Sequence, residues 1–311
     1  MTLTTSPEPA FGARLATAMS THGRLCVGVD PHPQILSDWG LSVDAAGVRE
    51  FSARVLQVCI GRVAAVKPQV AFFERFGVAG LQALSEFQHQ ARAAGLLVIA
   101  DAKRGDIGST MAGYAEAWLN PDADFGADAL TVSPYLGFGS LQPAIDAARE
   151  YRAGLFVLGL TSNPEGAAVQ LATDAEGLSV AGRIAAEAAA ASDALTASSP
   201  ASTAESAAVS TSASTAESPA AAGELGSIGL VVGATTAGLA AQHGIDLRSG
   251  NLPLLAPGYG AQGATADDLR RGFGASYPHQ VLVNSSRGIL AQGPDVESLL
   301  NAIDQAKADL A

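Results

Sequence analysis

Four charged residues are spaced so that they could carry out acid–base chemistry together. Asp101 and Lys103 flank one alanine at the end of the apolar run LLVIAD, Lys67 ends the run VAAVK, and Asp106 follows soon after Lys103. Side chains two apart on a strand share a face, so Asp101 and Lys103 are expected to project together, with Lys67 within reach. An alternating Lys–Asp–Lys–Asp array keeps every charge paired. It suits a reaction that loses an anionic group and then needs a proton delivered to carbon.

The elements that would position these residues are short and apolar. Apolar runs bounded by Gly, Pro, Asn or Asp alternate with amphipathic helical patterns, and the runs are residues 25–30, 63–67, 96–101, 129–133, 155–160, 228–233, 252–256 and 280–284. Runs of this kind are typical of strands buried on both faces. They predict an α/β fold, a (β/α)8 TIM barrel. A doubly wound open sheet is the alternative, but the turn after the first run, DPHP, lacks the glycines that cradle a dinucleotide phosphate.

Residues 192–227 break this alternation. The segment is almost entirely Ala, Ser, Thr, Glu and Pro, and the pentapeptide STAES occurs in it twice. Such a composition has too little apolar surface to offset the entropy of ordering. We therefore predict one barrel domain over residues 1–311, with a disordered insertion at 192–227 between the fifth helix and the sixth strand. We expect the insertion to be tolerated rather than functional.

The predicted strand ends also indicate a phosphate site. In a TIM barrel the active site lies at the C-terminal ends of the strands, which brings Asp30 and Ser162 to the same mouth as the charged array. The Gly-rich PGYGAQG follows the seventh strand and Arg287 follows the eighth, and barrels frequently bind phosphate at these two loops. For the charged array of Lys67, Asp101, Lys103 and Asp106, the alternative is a network that only stabilises the fold, but apolar layers would stabilise a barrel more simply.

Composition excludes several classes of protein. The net charge is −12 over 311 residues, and no Lys/Arg cluster offers a basic face for nucleic acid or an anionic membrane. No apolar run approaches the roughly 20 residues of a membrane span, and no secretory signal is visible. The isolated Cys26 and Cys59 are expected to be buried free thiols. The histidines lack metal-ligand spacing, and His32 is expected on a loop surface. We expect a cytoplasmic protein without a metal.

Taken together, the motifs resemble a known family. DAKRGDI at residues 101–107, Lys67 followed by Pro-Gln, TSNPEG, APGYGAQG and NSSRGI occur in the order found in the longer bacterial orotidine 5'-phosphate decarboxylases. The resemblance runs from about residue 24 to residue 287 and is interrupted only by the insertion. It implies a homodimer of (β/α)8 barrels that converts orotidine 5'-phosphate to UMP and CO2 in pyrimidine biosynthesis, without metal or organic cofactor.

The resemblance also implies catalytic roles. Lys103 would donate the proton to C6 of the pyrimidine, Asp101 would lie beside the leaving carboxylate, and Lys67 would pair with Asp101 and contact the ribose. Asp106 and Thr110 would reach into the partner subunit's site. The chemistry is consistent with these roles, because decarboxylation leaves a carbanion that no carbonyl delocalises, and a fixed ammonium stabilises such charge without reorganising.

Further residues would bind the substrate, again by resemblance. Asp30 would bind a ribose hydroxyl, Ser162 would contact the pyrimidine ring, and Gln262 and Arg287 would hold the phosphate. Binding energy from the remote phosphate would then drive loop closure around the reacting carboxylate.

Two other functions remain open at this point. A Mg2+-dependent sugar-phosphate decarboxylase or aldolase of the same superfamily would share the Asp-x-Lys motif, but it needs a carboxylate for the metal where this chain has Lys67. A non-catalytic phosphate-binding barrel would keep Arg287 and the Gly-rich loop, yet it would have no use for two lysines and two aspartates. Turnover of orotidine 5'-phosphate in EDTA would exclude both.

Overall fold

A closed barrel forms the centre of the computed structural model, which describes residues 8–197 and 225–311. Within these residues eight parallel strands pair in sequence order, and β8 pairs with β1. The strands are β1 Leu25–Val29, β2 Ala65–Pro68, β3 Leu97–Arg104, β4 Ala129–Val132, β5 Gly154–Leu160, β6 Ile228–Val232, β7 Leu254–Pro257 and β8 Val281–Ser285. The predicted (β/α)8 fold is confirmed, and each strand overlaps one of the apolar runs.

Helices cover the outside of the barrel between successive strands. They are α1 Phe11–His22, α2 Pro33–Asp38, α3 Ala45–Cys59, α4 Val70–Glu74, α5 Gly77–Ala93, α6 Gly108–Leu119, α7 Gln142–Glu150, α8 Ala167–Gln170, α9 Val180–Ala197, α10 Ala237–Gln242, α11 Ala266–Phe273, α12 Tyr277–Gln280, α13 Arg287–Leu290 and α14 Val296–Leu310. Short 3-10 turns lie at Phe138–Leu141, Pro164–Gly166, Ser249–Asn251 and Gly274–Ser276. Polar side chains cap the N-termini of several helices. Asp44 accepts hydrogen bonds from two backbone amides of α3, and Thr265 and Asp268 form a capping box at α11.

Helix α1 closes the N-terminal end of the barrel. Phe11 and Leu15 are fully buried within the barrel's inner cluster, where the Phe11 ring meets Phe156 edge-on at 5.9 Å between centroids. Gly154 makes room for this plug, because a Cβ there would collide with the Phe11 ring. With the N-terminal end filled by apolar side chains, the open mouth lies at the C-terminal ends of the strands.

Both ends of the predicted insertion belong to the described structure. Residues 192–197 continue helix α9, and Ser192 is fully buried. At the other end, Ser227 accepts a hydrogen bond from the Leu155 amide, and the Gly226 amide donates to Asn251. The predicted bounds 192–227 are therefore too wide, because alanine-rich sequence is also good helix-forming sequence. The remainder of the predicted disordered segment, residues 198–224, lies outside the described residues.

Both cysteines are buried free thiols, as predicted. No helix among residues 8–197 and 225–311 is long and apolar enough to cross a membrane.

Candidate active site

A cavity of about 690 Å³ opens at the C-terminal ends of the strands. It brings together seven of the nine side chains that the sequence singled out, namely Asp30, Lys67, Asp101, Lys103, Ser162, Gln262 and Arg287. The other two, Asp106 and Thr110, do not line it. The cavity thus gathers residues from both ends of the sequence at the open mouth of the barrel.

Asp101 is the centre of the charged array. Lys67 Nζ lies 2.5 Å from Asp101 Oδ2, and Lys103 Nζ lies 2.5 Å from Asp101 Oδ1. Gln69 Nε2 also donates to Oδ2 at 3.1 Å, and Thr131 Oγ1 donates to Oδ1 at 3.0 Å. Each carboxylate oxygen therefore accepts one hydrogen bond from a charged donor and one from an uncharged donor, and these four contacts fix the orientation of the Asp101 carboxylate.

The two lysines differ in their access to the cavity. The Lys67 side chain is only 5% exposed, whereas that of Lys103 is 46% exposed. The Lys67 ammonium contacts Asp101 in the protein interior. The Lys103 ammonium also contacts Asp101, but it faces the cavity, where it can approach a bound molecule.

The electrostatics keep the buried pair charged. Burial favours the neutral acid of Asp101, but the ammonium groups of Lys67 and Lys103 outweigh it and hold the pKa of Asp101 well below its usual range. Burial likewise favours a neutral Lys67, but Asp101 and Asp30 raise the pKa of Lys67 above its ordinary value. Lys67 and Asp101 are therefore held as a fully charged pair away from solvent, where electrostatic interactions are strong.

Lys103 reaches Asp101 through irregular backbone. Its φ is +49°, in the left-handed region that non-glycine residues rarely adopt, and the register of β3 against β4 shifts between Ala100 and Arg104. The Lys103 amide donates to Thr131 Oγ1 at 2.9 Å. The expected contact is present, but it does not arise from the regular strand alternation that the sequence argument assumed. Such strain is typical of functional positions.

The opposite side of the mouth is suited to an anion. Gly258 and Gly260 in the loop after β7 have φ values of +110° and +74°, so the loop turns tightly in a conformation that glycine tolerates. Ser162 Oγ donates to Gln262 Oε1 at 3.1 Å. Arg287 begins α13 and lines the cavity, and its guanidinium forms no ion pair within the described ranges. An unpaired guanidinium beside a Gly-rich loop can bind a phosphate.

Asp106 and Thr110 lie on the outer rim. Asp106 Oδ1 accepts a hydrogen bond from the amide of Ile107, and Thr110 is exposed on α6. The neighbouring Ile107 side chain is 62% exposed. Neither polar residue takes part in the Asp101 cluster of its own chain.

Several side chains that line the cavity were given no role from the sequence, among them Gln69, Thr131, His32 and Asn284. Gln69 lies two residues after Lys67 and so shares its face, and Thr131 is the inward polar residue of the run ALTVS, so alternation could have identified both. His32 was expected at a loop surface, but it lines the cavity and its ring packs 3.9 Å from that of Phe72. Asn284 ends an apolar run and gave no separate signal.

No group of three or more His, Cys, Asp or Glu side chains that could hold a metal ion occurs in the parts of the chain that the structure describes.

Known proteins are similar to this chain in sequence and fold. The orotidine 5'-phosphate decarboxylase / HUMPS family matches residues 23–302. An orotidine 5'-phosphate decarboxylase of Streptomyces coelicolor is 50% identical over 304 residues, covering 97% of both chains, and one of Corynebacterium efficiens is 47% identical over 299 residues, covering 96% of both. A crystal structure from Streptomyces avermitilis, 49% identical, gives a TM-score of 0.84 over 100% of this chain and 97% of that one.

Proposed function

Because the chain belongs to the orotidine 5'-phosphate decarboxylase / HUMPS family, we propose that it converts orotidine 5'-phosphate to UMP and CO2 in pyrimidine biosynthesis. The observation that carries the proposal is the contact of Asp101 with both Lys67 and Lys103 at the cavity. A phosphate-binding barrel without chemistry gains nothing from an ion cluster with one exposed ammonium. We place the enzyme in the cytoplasm.

Lys103 supplies the proton in this mechanism. As the bond between C6 and the carboxylate breaks, CO2 leaves and the electron pair stays on C6. The Lys103 ammonium stabilises the developing negative charge without reorganising and then transfers a proton to C6. Lys103 is left as a neutral amine that solvent water protonates again. The exposure of the two lysines supports the assignment, because the Lys103 side chain is 46% exposed at the cavity and that of Lys67 only 5%.

The other residues of the cavity bind and orient the substrate. Asp101 lies beside the leaving carboxylate, held by Lys67, and Asp30 binds a ribose hydroxyl. Arg287 and Gln262 bind the phosphate at the mouth, and Ser162 contacts the pyrimidine ring. Phosphate binding stabilises the closed site and so contributes to the chemical step as well as to affinity.

The second candidate is a Mg2+-dependent sugar-phosphate enzyme, because the matched family also includes members under the name HUMPS. The position of Lys67 argues against it. Its ammonium already occupies Asp101 Oδ2 at 2.5 Å, and a divalent cation at that carboxylate would be repelled by it. The relatives of about half identity over nearly the whole chain also carry the decarboxylase name.

We further propose that two copies of the chain share their sites. Asp106 and Thr110 lie outside the cavity of their own chain, and in the loop that follows β4 Tyr135 and Leu136 are 81% and 55% exposed. This loop begins beside the end of β3, since the Ser133 amide donates to the carbonyl of Arg104, the last residue of that strand. An exposed apolar rim of this kind suits a two-fold interface, and a second copy would bring Asp106 and Thr110 to the first copy's cavity.

Loss of the ultraviolet absorbance of orotidine 5'-phosphate, followed in EDTA, tests the proposed reaction. We expect full turnover with UMP as the product. If orotidine 5'-phosphate is not turned over under any condition, the proposed reaction is contradicted. Mg2+-dependent turnover of a sugar phosphate by the same sample would favour the second candidate, and phosphate binding without turnover of either substrate would contradict both enzymes.

A further inference from the structure

The backbone that carries Lys103 departs from regular strand geometry. Between two paired positions, Ala100 and Arg104, β3 advances four residues, whereas β4 advances only two, from Leu130 to Val132. The extra residues on β3 form a bulge, and Lys103, with its φ of +49°, lies inside it. Bulges re-aim side chains beside active sites, and this bulge contains the residue that we propose as the proton donor.

A non-glycine residue in the left-handed region needs neighbours that hold it there. Such backbone costs free energy and persists only where the surrounding structure over-determines it. Two contacts hold the upstream side, since the Lys103 amide donates to Thr131 Oγ1 at 2.9 Å and the Lys103 ammonium meets the fixed carboxylate of Asp101. The downstream side is held by the next residue, Arg104.

The backbone of Arg104 is the point at which β3 returns to register with β4. Its carbonyl oxygen accepts a hydrogen bond from the Ser133 amide at 2.8 Å. Gly105 then lets the chain pass close to the end of β4, because a Cβ at that position would lie 2.5 Å from the Ser133 carbonyl oxygen. The bulge is therefore closed directly after Lys103.

The Arg104 side chain does not line the cavity and packs on two helices. Its Nη2 donates to Glu74 Oε1 at 2.6 Å, at the end of α4. Its guanidinium carbon lies 5.6 Å from the ring centre of Tyr114 and 5.4 Å from that of Trp118, both on α6. A planar guanidinium can stack on aromatic rings and pair with a carboxylate, which a compact ammonium does less well.

These contacts connect the end of β3 to a firm surface. Trp118 is 4% exposed, and its ring stacks on Phe125 at 5.2 Å between centroids. Helix α4, which ends at Glu74, follows β2 directly, and β2 carries Lys67. The Arg104 side chain therefore ties the downstream end of the bulge to the elements that frame the charged array.

We propose that Arg104 is a positioning residue for Lys103. By fixing the chain directly after Lys103, it holds the left-handed backbone that brings the ammonium to Asp101 and to the cavity. Its consequence for turnover rests on the proposed function, which takes Lys103 as the proton donor. The alternative is that Arg104 only adds to the stability of the fold, as other partly exposed arginine pairs do.

Kinetics of Arg104→Met test the proposal. Methionine keeps an unbranched side chain but removes the charge and the planar group. Because a displacement of about 1 Å at a reacting centre can cost about 10²-fold in rate, kcat should fall by about 10- to 100-fold. The KM for orotidine 5'-phosphate and the Kd of UMP should stay within about threefold of wild type, since the residues proposed to bind phosphate and ribose are unchanged.

Arg49→Met is the matched control. It removes a partly exposed ion pair between two helices, with Glu86, outside the cavity. Exposed pairs contribute little, so its kcat and KM should both stay within about twofold of wild type.

The conservative variant Arg104→Lys keeps the charge and loses the planar fork. Its kcat should lie between those of Arg104→Met and wild type, at unchanged KM. If Arg104→Met does not fold, Arg104→Lys decides the question. A fall of at least about threefold in kcat at wild-type KM supports positioning, and an unchanged kcat overturns it.

Amide hydrogen exchange provides a readout that does not depend on turnover. Loss of the downstream anchor in Arg104→Met should speed exchange in the peptide that covers residues 97–107 and leave that of residues 281–290, over β8 and α13, unchanged. Faster exchange along the whole chain, together with a sharp fall in Tm and a raised KM, would show that Arg104 supports the fold as a whole and would overturn the proposal.

The remaining outcomes separate this inference from the function on which it rests. A folded Arg104→Met enzyme with kcat within about twofold of wild type would overturn the positioning role and leave the proposed function intact. A wild type that does not turn over orotidine 5'-phosphate would contradict the proposed function. The exchange pattern would then decide the role of Arg104, with local acceleration supporting it and an unchanged pattern overturning it.

Discussion

Lys67 Nζ and Asp101 Oδ2 lie 2.5 Å apart on neighbouring strands, and both side chains are at least nine-tenths buried. A buried ion pair of this kind is stable only because its geometry is close and the carboxylate accepts further hydrogen bonds, here from Gln69 and Thr131. The pair fixes Asp101 as a charged group, and it leaves Lys103 as the ammonium that faces a ligand.

The ion pair makes stability depend on pH at the extremes. The lowered pKa of Asp101 stabilises the fold above the ordinary carboxylate pKa of about 3.9, and this contribution is lost as pH falls toward the folded-state pKa. The raised pKa of Lys67 stabilises the fold below about pH 10.4, and that contribution is lost at still higher pH. Asp101→Asn should therefore lower the free energy of unfolding by about 3–5 kcal/mol at neutral pH and by less at about pH 3.

Urea unfolding at the two pH values measures this difference. Asp146→Asn, which removes an exposed ion pair with Arg149, is the control and should cost less than about 1 kcal/mol. A loss for Asp101→Asn that is the same at both pH values would show that Asp101 is not held charged by its neighbours.

Arg287→Ala should act mainly on substrate affinity. Removing a charge-assisted contact to phosphate is expected to raise KM by about 10- to 100-fold, with a smaller fall in kcat because phosphate binding also stabilises the closed site. Steady-state kinetics measure both constants. Arg248→Ala is the matched control, since Arg248 is 75% exposed and lies outside the cavity. An unchanged KM would remove Arg287 from the phosphate site.

Mixing two inactive variants tests the shared site. Lys103→Ala and Asp106→Ala damage different residues, so a mixed dimer contains one cavity in which both are intact. With random exchange about half of the dimers are mixed, and about a quarter of wild-type activity should return. Each variant incubated alone provides the baseline. If exchange of subunits is demonstrated and activity stays at that baseline, Asp106 acts within its own chain.

Deleting residues 198–221 should leave kcat/KM within about twofold of wild type and change the Tm by no more than a few degrees, since loop-closure entropy depends weakly on length. The flanking chain ends lie near each other, because Gly226 contacts Ser192 and helix α9 runs only about 8 Å further to Ala197. Residues 222–224 can span roughly 10 Å. A folded but inactive deletion variant, identified by circular dichroism and kinetics, would assign the segment a catalytic role.

Sequence alone could predict the barrel and the position of Lys67 and Asp101, because uniformly apolar runs fix the strands and the residues that end them. It could not predict the left-handed backbone at Lys103, which depends on the register shift against β4 and on Thr131. Nor could it reveal the aromatic contacts of Arg104, which form only once α6 packs beside β3. The end of α9 was missed because alanine-rich sequence is compatible with both helix and disorder.

The most direct measurement of the proposed mechanism is the turnover of orotidine 5'-phosphate by Lys103→Ala beside wild type, in EDTA, with UMP binding by thermal shift measured on the same samples. Wild type should turn over, and Lys103→Ala should lose at least about 10³-fold in kcat, because it lacks both the proton donor and the fixed positive charge. Its Tm should still rise with UMP, since Arg287 and Gln262 remain. A Lys103→Ala enzyme that keeps kcat within about tenfold of wild type would contradict proton transfer from Lys103.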